Sequence, residues 1–201
     1  TDNTNNTVLD LRTNLHTRSS AVRANSKWIG VPWTGVGKVA IIAANAKGKV
    51  GQPLFCQFGA NVTDFAFDPF DPDVVYVVGE DGKMKIYRIG ETEVVQEKEL
   101  RVHGRKVSGV YPSPFIKGCV VTAGMEVALR MWDVERDEMV CEVTGFTDLI
   151  TSVSCNATGE MCVVGCKDKK VRLVDLRHGT VVGSTGAPSG PSRSTRSRVR
   201  S

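Results

Sequence analysis

VTDFAFDPFDPDVVYVVGEDGKMKIYRI (residues 62–89) is followed by VSGVYPSPFIKGCVVTAGMEVALRMWDV (residues 107–134) and ITSVSCNATGEMCVVGCKDKKVRLVDL (residues 150–176). Each reads as strand, turn, strand, turn, strand. Landmarks recur at fixed offsets. Asp81, Glu126 and Asp168 fall in the second turn, 45 and then 42 residues apart. Tyr87, Trp132 and Val174 end the third strand at the same two steps, and Phe58, His103 and Phe146 precede the three units by steps of 45 and 43. A period of about 40–45 residues is that of four-stranded propeller blades, each too small to bury its own apolar faces. The strands themselves rest on alternation. Asp64-Phe65-Ala66-Phe67 and residues 83–88 place apolar and polar residues in turn, as one buried face demands. Residues 74–78 are continuously apolar, which suits a strand covered on both faces. Asp71-Pro72, Asp81-Gly82 and Thr158-Gly159 mark the turns. No 12-residue segment carries a helical stripe.

Ahead of Val62, three further apolar segments, residues 28–31, 38–42 and 54–58, form a less regular unit. The expected fold is therefore all-β: a partial propeller of about four blades with units near residues 21–58, 59–100, 101–143 and 144–182. Trp132-Asp133 is the dipeptide that names the WD repeat. Such a blade can share a buried network of His, Ser or Thr, Asp and Trp. Here the set reads as broken in every unit: Asp81 stands with Phe58 and Tyr87, His103 and Trp132 with Glu126, and Asp168 with Phe146 and Val174. Apolar packing is expected to replace the network, an exchange that is close to neutral when both partners change together. His103 is read as structural.

Composition narrows the function classes. A chain of 201 residues with 41% hydrophobic and 24% charged residues has the make-up of a soluble globular domain. No run approaches the roughly 18 apolar residues of a membrane span, and residues 1–20 do not show the basic segment followed by an apolar one that marks a secretory signal. The formal charge is +4, but Arg193, Arg196, Arg198 and Arg200 account for all of it, so residues 1–182 are neutral. Nucleic-acid binding by the folded body is not expected. Residues 1–20, rich in Asn and Thr, and residues 183–201, rich in Ser and Arg, are expected to be disordered. The tail around residues 192–198 could contact RNA or accept phosphate. Thr rather than Met at residue 1 leads us to expect a fragment.

Several motifs imitate chemistry. Thr34-Gly35-Val36-Gly37-Lys38 suggests a phosphate loop, yet Pro32 replaces the first Gly, Val39 the metal-binding hydroxyl, and a strand follows where a helix is needed. A β turn is the reading. Asp64, Asp68, Asp71 and Asp73 crowd one segment without the spacing of a calcium loop and read as a solvated hairpin turn. Cys56, Cys119, Cys141, Cys155, Cys162 and Cys166 show no Cys-x-x-Cys pair, so reduced thiols and no metal are expected. His16, His103 and His178 have no nucleophile in an elbow turn beside them, and no catalytic residue or cofactor is assigned. Lys167, Lys169, Lys170 and Arg172, extended by Arg105 and Lys106, form a candidate basic patch for an acidic protein surface such as a filament.

Residues 21–42, with Lys27-Trp28-Ile29-Gly30-Val31-Pro32-Trp33-Thr34-Gly35-Val36-Gly37, resemble the opening blade of coronins, especially the second propeller of the long tandem members. The run from Asp64 to Pro72 followed by Gly79-Glu80-Asp81 is similar to their next blade. Cys166-Lys167-Asp168-Lys169-Lys170-Val171-Arg172 with Asp175-Leu176-Arg177-His178-Gly179 resembles a later one. The resemblance implies a seven-bladed propeller, F-actin as partner, cytoskeletal regulation and, for tandem members, a link to Golgi trafficking; the residues themselves lead us to expect a cytoplasmic scaffold rather than an enzyme. A trafficking adaptor that does not touch actin is the alternative.

Overall fold

The computed structural model describes residues 22–33, 35–46 and 52–186, and arranges them as sixteen strands in four antiparallel sheets. Blade 1 contains β1 (Arg23–Ala24), β2 (Trp28–Pro32), β3 (Lys38–Ala43) and β4 (Leu54–Gln57). Blade 2 contains β5 (Val62–Phe67), β6 (Val74–Gly79), β7 (Lys83–Ile89) and β8 (Val94–Arg101). Blade 3 contains β9 (Val107–Pro112), β10 (Cys119–Gly124), β11 (Leu129–Asp133) and β12 (Glu138–Val143). Blade 4 contains β13 (Ile150–Cys155), β14 (Met161–Cys166), β15 (Lys170–Asp175) and β16 (Thr180–Gly186). No helix occurs among the described residues. Each sheet is a simple meander, and the first strands of successive blades adjoin one another, so they form the inner side of an open, unclosed propeller.

The repeat extends to the backbone. In blades 2, 3 and 4 the ladder between third and fourth strands carries a bulge just before Tyr87, Trp132 and Val174. The turn after each acidic landmark enters the left-handed region at Gly82 (φ 80°), Val127 (φ 64°) and Lys169 (φ 62°). At Gly82 a side chain is also excluded by space, since an added Cβ would lie 2.3 Å from the His103 carbonyl oxygen.

The core lies between blades rather than within them. Val75 and Val77 of β6 pack with Val39, Ile41 and Cys56 of blade 1, while Tyr76 and Val78 of the same strand pack with Val107, Val110 and Val120 of blade 3. Hence residues 74–78 show no alternation: both faces are buried. Each fully buried valine contributes about 1.5–3 kcal/mol. In blade 4 one face joins Val121, Ala123 and Leu129 of blade 3, and the other is open, with Val163 47% and Leu173 42% exposed.

Four expectations need correction. The opening unit has a fourth strand, β1, whose two residues are too short for periodicity to reveal. The folded body does not end at Val182, because residues 183–186 continue β16 and pair with residues 170–173 through backbone bonds that do not depend on composition. Asp64 and Asp68 do not belong to a solvated turn: both are buried, Asp64 within β5 and Asp68 accepting the Tyr76 hydroxyl at 2.6 Å. The cysteines are not all reduced, since Cys155 and Cys162 form a disulfide. They lie opposite each other in the β13–β14 ladder with Cα atoms 4.0 Å apart, a pairing set by register and invisible to a search for short sequence spacing. Cys56, Cys119, Cys141 and Cys166 are free. The expected disorder of residues 1–20, and the RNA or phosphate reading of residues 192–198, lie outside the described residues, as do His16 and Thr34.

Candidate functional site

The turn between β14 and β15 carries Lys167, Lys169 and Lys170 outward, all exposed. Asp168 shapes it. One carboxylate oxygen accepts the Lys170 backbone N–H at 3.0 Å, and the Arg172 guanidinium binds the carboxylate at 2.6 and 3.2 Å. Thr147 from the preceding loop donates to Asp168 and accepts from Arg172 at 2.7 Å. The Arg172 and Thr147 bonds hold the Asp168 carboxyl well below the usual carboxylate range. Arg172 is therefore withdrawn from the basic patch: it is 4% exposed, ion-paired, and 6.0 Å from the Phe146 ring centroid. Its part is to fix the turn.

Arg105 and Lys106 precede β9, at the same end of the arc, as the pairings Val107↔Gly124 and Ile150↔Cys166 require. Arg105 is exposed, whereas Lys106 bonds Glu80 of blade 2 at 2.7 Å. The geometry thus leaves Lys167, Lys169 and Lys170 as a concentrated positive turn, with Arg105 on the adjoining blade and Lys106 partly neutralised.

The phosphate-loop imitation is a turn between β2 and β3, where Gly35 (φ 103°) and Gly37 (φ 69°) take left-handed conformations. The aspartates of the crowded segment are occupied by protein donors. Asp64 binds Arg23, Asp71 binds Arg88, and Asp73 accepts from Lys27 at 2.7 Å and Trp28 Nε1–H at 2.8 Å.

Blade 3 contradicts the expectation that its polar network is broken. Trp132 Nε1–H donates to Thr122 Oγ1 (3.2 Å), the Thr122 hydroxyl donates to His103 Nε2 (2.9 Å), and His103 Nδ1–H donates to Glu126 Oε1 (2.8 Å). This order places every proton, and it needs a neutral imidazole with Nδ1 protonated. Glu126, one methylene longer than Asp, also accepts the Gly104 N–H and contacts Arg130 at 3.2 Å. Gly124 makes room for the ring, since a Cβ there would lie 2.3 Å from His103 Nδ1. In blades 2 and 4 the replacement is as expected, and it is paired: Val77 and Val164 occupy the register of Thr122, and both are fully buried. A further element was missed. Lys85, Arg130 and Arg172 each follow the acidic landmark by four residues, and Lys85 lies 5.3 Å from the Phe58 centroid as Arg172 lies over Phe146. That recurring cation was visible in the sequence and compensates the Phe-for-His exchange through cation–π attraction.

Burial pulls the His103 imidazole below its ordinary value, against the opposing effect of Glu126. The sign follows: as pH falls through the unfolded histidine's value of about 6.5, the unfolded chain takes up a proton that the native site resists. The stability contributed by neutral His103 is thus full above that pH and lost below it. Denaturant midpoints measured from about pH 7.5 to 5.5 should fall more steeply for the wild type than for His103→Phe, whose slope lacks this group.

Four-stranded meanders stacked through their faces, a Trp-Asp blade and its buried His–Thr–Trp chain define a WD-repeat propeller protein. No protein-family model matches the chain. It is similar to human Coronin-7, 29% identical over 164 residues covering 78% of this chain and 18% of that protein, and to human Coronin-2A, 29% identical over 160 residues covering 74% and 30%. Among solved structures, the WD40 domain of Toxoplasma gondii coronin superposes with a TM-score of 0.80 at 25% identity, covering 92% of this chain and 50% of that one. The chain is a coronin-like WD-repeat protein, spanning less than a third of the length of these two curated relatives.

Proposed function

We propose that the chain is a non-enzymatic, coronin-like scaffold that binds F-actin and organises the actin cytoskeleton in the cytoplasm. The observation that carries this reading is the turn at Lys167, Lys169 and Lys170, presented outward because Asp168 is bonded internally to Arg172 and Thr147. Such a patch attracts an acidic filament surface at long range, and its effect is screened by salt. Arg105 extends the positive surface onto blade 3, and Arg172 serves as a positioning residue.

Co-sedimentation with F-actin over a salt series tests the reading. The bound fraction should fall as salt rises, and the K167E/K169E/K170E variant should bind several-fold more weakly at low salt with an unchanged circular dichroism spectrum. No pelleting of the wild type at low salt would overturn it. Recovery of coat or ligase components instead of actin from cytosol would move the assignment to a trafficking adaptor.

A further inference from the structure

The Cys155–Cys162 bond joins the innermost strand of blade 4 to its neighbour, one rung from the hairpin loop of residues 156–160. The next rung is the Asn156 N–H to Met161 carbonyl bond at 2.8 Å, which makes the cysteine pair a non-hydrogen-bonded pair, the cross-strand position where side chains are nearest. Beyond it the loop is closed by its own bonds and anchored at Glu160, whose carbonyl accepts the Leu176 N–H at 2.7 Å and whose carboxylate pairs with Arg177 at 3.2 Å. Asn156 Oδ1 accepts the Met161 N–H at 3.1 Å, the Gly159 N–H donates to the Asn156 carbonyl at 3.0 Å, and Gly159 faces Ile116 of blade 3. Among the described residues, blade 4 packs on blade 3. The two residues also differ in exposure: Cys162 is fully buried, while Cys155 is half-buried.

We propose that Cys155 and Cys162 form a reversible thiol–disulfide exchange site, at which a dithiol reductant unlocks the β13–β14 hairpin and its loop. The reductant's thiolate attacks Sγ of Cys155, the more exposed residue, forming a mixed disulfide. The Cys155–Cys162 bond breaks and Cys162 leaves with the electron pair, taking up a proton. The second thiol of the reductant then attacks its own sulfur in the mixed disulfide, releasing Cys155 as a thiol. The protein gains two electrons and two protons, and the reductant becomes its disulfide. Oxidation by a small disulfide reverses the sequence. The site lies at the opposite end of blade 4 from Lys167, Lys169 and Lys170, because successive turns of a meander alternate ends, so it is independent of the filament reading.

The test is made on the full chain. After equilibration with oxidised glutathione, quenching by acid and alkylation under denaturing conditions, the mass should show four modified cysteines, rising to six after dithiothreitol. Amide hydrogen exchange at Asn156, Gly159 and Met161 should accelerate several-fold on reduction and return on reoxidation. The Cys155→Ser variant should show the fast exchange whatever the redox buffer. Six modified cysteines under oxidising conditions, or identical exchange of these amides in the two wild-type states, would overturn the proposal. The wild-type comparison stands by itself if Cys155→Ser does not fold.

Discussion

Replacing Thr122 by Val lowers the unfolding free energy by about 2–4 kcal/mol, because it orphans two buried groups at once. The Trp132 indole N–H loses its acceptor and His103 Nε2 loses its donor, in a chain whose histidine and threonine are both fully enclosed. His103→Phe costs a similar amount, since Thr122 then lacks an acceptor and Glu126 keeps only the Gly104 N–H and Arg130 of its three donors. The double substitution imitates blades 2 and 4, where Phe and Val occur together. It should cost less than the sum of the single changes, with a coupling of about 1–2 kcal/mol. Arg130 is placed to cover the new ring as Lys85 covers Phe58 and Arg172 covers Phe146. Denaturant unfolding of the four proteins in the cycle measures this. Additivity within about 0.5 kcal/mol would mean that the hydrogen-bond chain does not act as a unit.

The same comparison shows what was legible in the sequence. Repeat spacing located the three regular blades, because the strands, turns and acidic landmarks are local features written into a fixed period. It could not say whether Glu126 completes the blade 3 chain. That depends on a methylene's extra reach and on the space left by Gly124, neither of which is a pattern. The disulfide was missed for a similar reason, since Cys155 and Cys162 meet only after the hairpin register is known.

For the candidate surface, the charges were visible but their direction was not. Arg172 and Lys170 are separated by one residue, and strand alternation alone would place them on one face. Yet Arg172 turns inward to Asp168 and Thr147 while Lys170, at the strand's first position, remains exposed. An acid four residues before an arginine was the available signal. It identifies an internal ion pair and separates the residue that builds the turn from those the turn presents.

Substituting Asp64 by Ala is the second change expected to be severe, because this carboxylate joins three blades. It is 2% exposed in the inner strand of blade 2, pairs with Arg23 of blade 1 at 2.9 Å, and accepts the Val110 N–H of blade 3 at 3.1 Å as well as the Phe65 N–H at 2.9 Å. Breaking a fully buried pair costs about 3–5 kcal/mol. Arg23 is about a third exposed and can be partly hydrated, so the expected loss for D64A is near the lower end, about 3 kcal/mol. Most of that loss comes from the Val110 amide, which β9 presents on the edge not used by β10. Asp64→Asn retains an acceptor for this amide and should cost about 1–2 kcal/mol. Arg23→Met leaves the carboxylate with two backbone donors, and a similar figure applies. The order D64A, then D64N and R23M, is measured by denaturant unfolding, with exchange of the Val110 amide as the local reporter. If R23M destabilised the chain as much as D64A, the ion pair rather than the amide bond would be what joins the blades, and the inner edge of blade 3 would need no partner.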